Sequence, residues 1–217
     1  MGFNMIHNFE IKRGCIVYKD GARNVLFDTG NPASFPQERD PYPIFPKIHE
    51  YVDRSITDLQ GIDSISRQQL LIDYPRQELS FGKELAVYVP IAKYDLIPLI
   101  NGLVAISIKI GGEKRKMLLD SGAATSYLSM SAVVQGTFAG EIKDFFIGED
   151  KEFETDLYSL PTECGTGTPI GVNYGIPKDS IETAMKQYGV DGIIGYEWLR
   201  HFRVLLDVPN RSLTLGW

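Results

Sequence analysis

The sequence predicts a mainly β fold made of two unequal copies of one unit, with a few short helices. Short apolar runs separated by glycine and proline are typical of strands joined by turns. A triplet of an acid, a hydroxyl residue and glycine occurs twice, at residues 28–30 (Asp-Thr-Gly) and 120–122 (Asp-Ser-Gly), each directly after an apolar run. A serine follows each acid by six positions, at Ser34 and Ser126, so the repeat extends beyond the triplet.

A second repeated block supports the duplication. Residues 61–81 align without a gap on residues 195–215, with glycine, aspartate and proline in register. The acids are offset by 92 positions (120 minus 28) and the blocks by 134 (195 minus 61). The second copy therefore carries additional sequence between its acid and its glycine. We expect a minimal first unit at residues 1–85 and a larger second unit at residues 86–217.

In each copy a predicted hairpin leads to the acid. Residues 15–18 and 24–27, separated by a Lys-Asp-Gly turn, deliver Asp28 at a strand end. Residues 104–110 and 116–119 repeat this arrangement before the second acid. The other elements predicted for the second copy are a hairpin of 141–147 with 152–160, a helix from 179 that ends near Gly189, a buried strand at 190–195, a short helix at 196–202 and a closing hairpin of 204–207 with 213–215. Asp73 and Asp207, each two residues before a proline, are expected to form turns.

The additional sequence of the second copy predicts one covering hairpin, or flap, within residues 133–158. Its tip is expected at Gly136, Thr137 and Phe138, or at the turn that begins with Gly148. Glycine at the tip permits the opening and closing that a substrate needs. These four residues are the candidates for substrate binding.

Composition excludes several function classes. The formal net charge of −6 and the pI near 5.1 argue against nucleic-acid binding. No apolar run approaches a membrane span and no export signal is visible, so we expect no membrane partner and a cytoplasmic location. Cys15, Cys164 and three scattered histidines have no metal-ligand spacing, which leaves no metal or cofactor site and places any chemistry on carboxylates.

The motifs at residues 26–30, 118–123 and 192–195 resemble those of the aspartic proteases of the pepsin and retropepsin superfamily. The resemblance implies two acid-protease β-barrel lobes related by pseudo-twofold symmetry in one chain. It also implies that Asp28 and Asp120 form the catalytic pair. Two carboxyls within hydrogen-bond reach share one proton, so one can act as base and the other as acid on a water that attacks a peptide carbonyl.

The same resemblance assigns supporting roles to the rest of each triplet. Thr29 and Ser121 would hydrogen-bond across the interface between the copies, while Gly30 and Gly122 leave room for backbone and substrate. The implied function is an aspartic endopeptidase that acts as a monomer on a peptide or protein substrate. Two alternatives remain open: a catalytically silent binding or scaffold module with this fold, and a homodimer that uses Asp120 alone.

Overall fold

The computed structural model describes residues 5–146, 149, 151–165 and 167–217, and the chain is mainly β, as predicted. The described residues form eighteen strands, in chain order β1 Met5–Lys12, β2 Cys15–Asp20, β3 Arg23–Phe27, β4 Phe35–Pro36, β5 Asp58–Gln60, β6 Gln69–Asp73, β7 Glu78–Gly82, β8 Pro90–Asp95, β9 Ile97–Pro98, β10 Val104–Ile110, β11 Glu113–Leu119, β12 Ser126–Leu128, β13 Thr137–Asp144, β14 Phe153–Thr162, β15 Ile170–Gly175, β16 Gly192–Ile194, β17 Arg203–Asp207 and β18 Ser212–Gly216. They also form four short α-helices, α1 Phe45–Tyr51, α2 Met130–Val133, α3 Asp179–Tyr188 and α4 Tyr196–Leu199, and three 3-10 turns, Gln37–Arg39, Ile62–Ile65 and Ile100–Gly102.

The strands form two sheets rather than two closed barrels, which corrects the predicted β-barrel lobes. The first sheet has the order β4-β5-β3-β2-β1-β7-β6-β17-β18-β8, and the second has the order β13-β14-β15-β12-β16-β11-β10-β9, with one further pairing of β14 and β10. In the first sheet, β6 of the first copy pairs with β17 of the second, with Leu71 opposite Leu205. Each of these strands therefore satisfies its free edge with the other copy instead of closing a barrel within its own copy.

The predicted repeat is visible in the strand pairing. The strand before each acid runs parallel to a short buried strand, β3 beside β5 and β11 beside β16. A short helical segment follows in both copies, as Ile62–Ile65 and as α4, and an antiparallel hairpin comes next, β6 with β7 and β17 with β18. The division into units at residues 1–85 and 86–217 stays a prediction.

The first copy uses helix α1 to cover its outer face. Pro46 lies in the first turn of α1, where its missing N–H is not needed. Phe45 and Ile48, three positions apart on one face, are buried against Leu26 and Leu59 in a small apolar cluster.

None of the helices in the described part of the chain has the length and apolar composition that a bilayer crossing requires. The cytoplasmic location stays a prediction.

Candidate active site

Asp28 and Asp120 occupy equivalent positions just beyond the ends of β3 and β11. The Asp28 N–H donates to the carbonyl of Gln60 at 2.9 Å, and the Asp120 N–H donates to the carbonyl of Ile194 at 3.0 Å. Each acid is thus the last residue tied to its parallel neighbour before the chain turns. Gln60 stands where the other copy has the apolar Ile194. Its side-chain carbonyl accepts a hydrogen bond from the Tyr18 hydroxyl.

Glycine is required in both turns because the two loops cross closely. Gly30 donates its N–H to Asp28 Oδ1 at 2.8 Å, and Gly122 donates its N–H to Asp120 Oδ1 at 2.9 Å. A Cβ on Gly30 would lie 2.4 Å from the carboxyl carbon of Asp120, and a Cβ on Gly122 would lie 2.4 Å from that of Asp28. The carboxyl of each copy therefore lies against the glycine of the other.

Thr29 and Ser121 join the two loops by reciprocal hydrogen bonds. The Thr29 hydroxyl donates to the Leu119 carbonyl at 3.1 Å and accepts the Ser121 N–H at 2.8 Å. The Ser121 hydroxyl accepts the Thr29 N–H at 3.0 Å. Both side chains are buried. Because buried donors and acceptors are costly to leave unpaired, this network fixes the spacing of the two acids.

The repeated serines hold the glycine of each second block. Ser34 accepts the Gly61 N–H at 2.9 Å, and Ser126 accepts the Gly195 N–H at 3.0 Å. The sequence separates each serine from its acid by the same six positions, and the structure gives both the same partner. Each of these glycines directly follows the residue, Gln60 or Ile194, whose carbonyl accepts the N–H of the acid.

The two carboxyls form a coupled pair. Their side chains hydrogen-bond to each other, and both keep partial contact with solvent through a cavity. Burial raises the pKa of Asp28, with hydrogen bonds from Asp120 and from backbone N–H groups acting in the opposite direction. Burial, then the charge of Asp28 and the hydrogen bond with it, raise the pKa of Asp120 well above its usual range. The pair therefore holds one proton between its two carboxyls across a range of pH in which isolated aspartates are ionised.

This raised pKa predicts a stability change that is independent of any reaction. The folded protein binds the shared proton more tightly than the unfolded chain, so the stabilisation is complete below the ordinary aspartate pKa and is lost as pH rises through the raised pKa. We expect Asp120→Asn to raise the Tm above that of the parent protein at pH 7 and to have less effect at pH 4. Thermal unfolding at both values, with the exposed Asp95→Asn as control, measures the difference. An equal effect of Asp120→Asn at both values would contradict the raised pKa.

A cavity of about 220 Å³ opens above the two acids. Its wall includes Tyr127 from β12, Asp144 at the end of β13, and Phe145 and Phe146 from the turn that follows. Binding pockets for drug-sized ligands span about 300–1,000 Å³, so this cavity holds a water and a single side chain rather than an extended peptide. From the hairpin of β13 and β14, the described residues Asp144, Phe145 and Phe146 thus lie beside the acids.

Contacts with the first copy hold the turn of this hairpin down. Arg13 forms an ion pair with Glu152 at 2.6 Å and lies 5.7 Å from the ring centroid of Phe145. Tyr51 stacks on Phe145 with ring centroids 5.5 Å apart, and the Lys47 ammonium donates to the carbonyl of Glu149. Phe145 also packs against the apolar cluster of the first copy that contains Leu26 and Leu59, so polar, aromatic and apolar contacts together hold this turn.

The two predicted positions for the flap tip lie at opposite ends of the hairpin of β13 and β14. Gly136, Thr137 and Phe138 lie at the start of β13, at the end opposite the turn, and they do not line the cavity. The second predicted tip corresponds to the turn between Asp144 and Phe153, although Gly148 lies outside the described residues. A role of these four residues in substrate binding stays a prediction.

The sequence did not identify the residues that complete the cavity wall. Asp144 is followed by two aromatic residues, Phe145 and Phe146, at the end of a predicted strand. This break in the alternation of polar and apolar residues is the sequence signal that could have identified them. Cys15 was also not assigned to the site. Its thiol donates to the carbonyl of Gly122 at 3.2 Å, and burial, then the nearby charge of Asp28, raises the pKa of Cys15. Across the described ranges, no group of His, Cys, Asp and Glu residues has an arrangement that could hold a metal ion.

Comparisons with known proteins do not assign the chain to a family. No family model matches it, and no curated protein matches it. Among solved structures, the crystal structure of basic 7S globulin from soybean aligns with 76% of this chain and 58% of that chain, at 11% identity and a TM-score of 0.41. The chain therefore spans less than two thirds of the length of that structure.

These comparisons correct the family prediction. Membership of the pepsin and retropepsin superfamily, which the motifs indicated, is wrong as an assignment: the similarity to the soybean protein is too low to carry an argument, and no family model matches. The hydrogen bonds and the cavity around Asp28 and Asp120 are observed in the structure itself and do not depend on a family assignment.

Proposed function

We propose that this protein is an endopeptidase that hydrolyses peptide bonds with a water activated between Asp28 and Asp120. One observation carries the proposal: two equivalent loops bring two partly buried, mutually hydrogen-bonded carboxyls to one cavity. Perturbed acids in a cleft are the usual mark of acid–base chemistry. The proposal does not depend on family membership.

In this proposal the two acids have different roles, because a pair that shares one proton has one ionised and one protonated member. Asp28 is the carboxylate and takes a proton from the water as the water oxygen attacks the peptide carbonyl. Asp120 carries the shared proton and donates it to the carbonyl oxygen, so the intermediate is a neutral diol on the former carbonyl carbon. The proton on Asp28 then passes to the amide nitrogen as the C–N bond breaks, and one diol hydroxyl returns its proton to Asp120.

The hairpin of β13 and β14 acts as the single flap in this scheme. Its turn must lift from Arg13 and Tyr51 to admit a peptide, and its return excludes water from the reacting atoms. In the first copy, the chain between Asp28 and Gly61 carries α1 instead of a hairpin, so the cleft is covered from one side.

We further propose that the active unit is a monomer with one acid from each of residues 1–85 and 86–217. The pairing of Asp28 with Asp120 within one chain supports this arrangement, because no second chain is needed to complete the pair. A homodimer built on Asp120 alone would have to displace Asp28 from its hydrogen bond.

The pH profile of cleavage tests the proposal. Purified protein incubated with a broad peptide library from pH 3 to 8 should give a bell-shaped rate profile, because the fully protonated and the fully ionised pair are both inactive. We expect an acidic to mildly acidic optimum. The raised pKa of Asp120 places the upper limb nearer neutrality than that of an ordinary aspartate. Mass spectrometry of the products measures it, and a folded protein that cleaves no peptide at any of these pH values contradicts the proposal.

A binding module without hydrolysis is the second candidate. The small cavity favours it, because about 220 Å³ is less than the space that ligand pockets usually offer. The same library distinguishes the two: retention of peptides without new termini indicates binding alone.

A further inference from the structure

Asp144 places a third carboxyl in the wall of the cavity, and the proposed reaction does not use it. It is 4% exposed. Its Oδ2 accepts the Tyr127 hydroxyl at 2.6 Å, and its Oδ1 accepts the N–H of Phe145 at 2.8 Å. Both are neutral donors, so they orient the carboxyl and leave its charge uncompensated.

No basic side chain balances this charge in the described part of the chain. Asp144 takes part in no ion pair there, and no lysine, arginine or histidine among the described residues lines the cavity. Arg13, which contacts the neighbouring Phe145, is already paired with Glu152. Buried charges in proteins are normally paired, because removal from water is costly without a counter-charge. The cavity therefore lacks a cation.

The other walls suit the stem of a long basic side chain. The aromatic residues Tyr127, Phe145 and Phe146 also line the cavity. Lysine and arginine place their methylene groups along apolar surface while the charged end reaches a polar partner, and aromatic rings attract a nearby cation. The cavity is several times the roughly 30 Å³ that one water occupies in the liquid, which leaves space for one such side chain beside the attacking water.

We propose that Asp144 determines specificity by binding a lysine or arginine side chain of the substrate adjacent to the bond that is cleaved. This inference rests on the proposed function for its meaning in catalysis, while the binding preference itself does not require hydrolysis. Asp144 acts by ion pairing with the substrate and takes no part in proton transfer.

Matched peptides test the inference in a cleavage assay. Peptides that carry lysine, arginine or norleucine at each position flanking a cleaved bond differ only in the charge that reaches Asp144. We expect kcat/KM to be roughly ten- to hundredfold higher for lysine or arginine than for norleucine at one of these positions. Asp144→Asn should remove this preference. Glu141→Gln, an exposed substitution on the same hairpin with the same loss of charge, should keep it.

A binding assay separates this inference from the proposed function. Asp28→Asn protein, which should bind peptides without cleaving them, is titrated with fluorescein-labelled lysine and norleucine peptides, and anisotropy reports the affinity. Tighter binding of the lysine peptides that disappears in the Asp28→Asn, Asp144→Asn double variant supports the inference even if no peptide is ever cleaved. Equal affinity for both peptides overturns it. An equal loss for both peptides on Asp144→Asn also overturns it, because Asp144 would then only position the hairpin.

Discussion

We expect replacement of Asp28 or Asp120 by asparagine to lower kcat/KM for the proposed peptide cleavage by about 10⁴-fold or more, and replacement of both to lower it little further. Asp28→Asn removes the group that accepts a proton from water, and Asp120→Asn removes the group that donates one to the carbonyl oxygen. The two acids share one proton, so either loss disables the whole pair. Steady-state kinetics of the two single variants and the double variant, on one peptide at the optimum pH, measure these losses.

A matched control distinguishes a loss of catalysis from a loss of folding. Asp95→Asn changes the same functional group on the exposed face of β8 and should leave kcat/KM unchanged. Thermal unfolding of all variants confirms that they are folded. Full activity of Asp28→Asn, or losses that multiply in the double variant, would contradict a shared proton.

Thr29→Val should reduce the free energy of unfolding by about 2–6 kcal/mol. Valine keeps the shape of threonine, so the substitution leaves little cavity. It removes the hydroxyl that serves the Leu119 carbonyl and the Ser121 N–H, both in the buried junction of the two loops. Each partner left unpaired costs about 1–3 kcal/mol. Urea unfolding followed by circular dichroism measures the change.

Thr29→Ser is the control for this prediction, because it keeps the hydroxyl and loses only a methyl group. It should cost about 1 kcal/mol. If Thr29→Val proves as stable as the parent protein, the reciprocal hydrogen bonds do not determine how the two loops are joined.

The sequence predicted the parts of the site that repeat. The same spacing separates acid, glycine and serine in both copies. Residues this close in sequence meet within one turn, so their contacts can be predicted from spacing alone. The prediction that Asp73 and Asp207 form turns is also confirmed, because each accepts the N–H of the third residue after it, at 3.1 Å.

The sequence could not predict how distant strands pair. Most residues of β6 and β17 are buried, and an apolar run of this kind is the same whichever strand lies alongside, so the sequence does not distinguish a closed barrel from a sheet that joins both copies. Asp144 was missed for a related reason. It stands at a strand end without a repeated counterpart, and only the turn of the hairpin brings it to the acids.

The pairing of β6 with β17 also constrains how the chain acquires its structure during synthesis. Leu71 can pair only after Leu205 has been synthesised, 134 residues later (205 minus 71). Contacts this distant in sequence slow folding, because a long loop must close before they form. Until β17 has been synthesised, β6 presents an open edge to other chains, and open edges promote aggregation. Deletion of the hairpin of β17 and β18 would therefore leave the first copy without a partner for that edge.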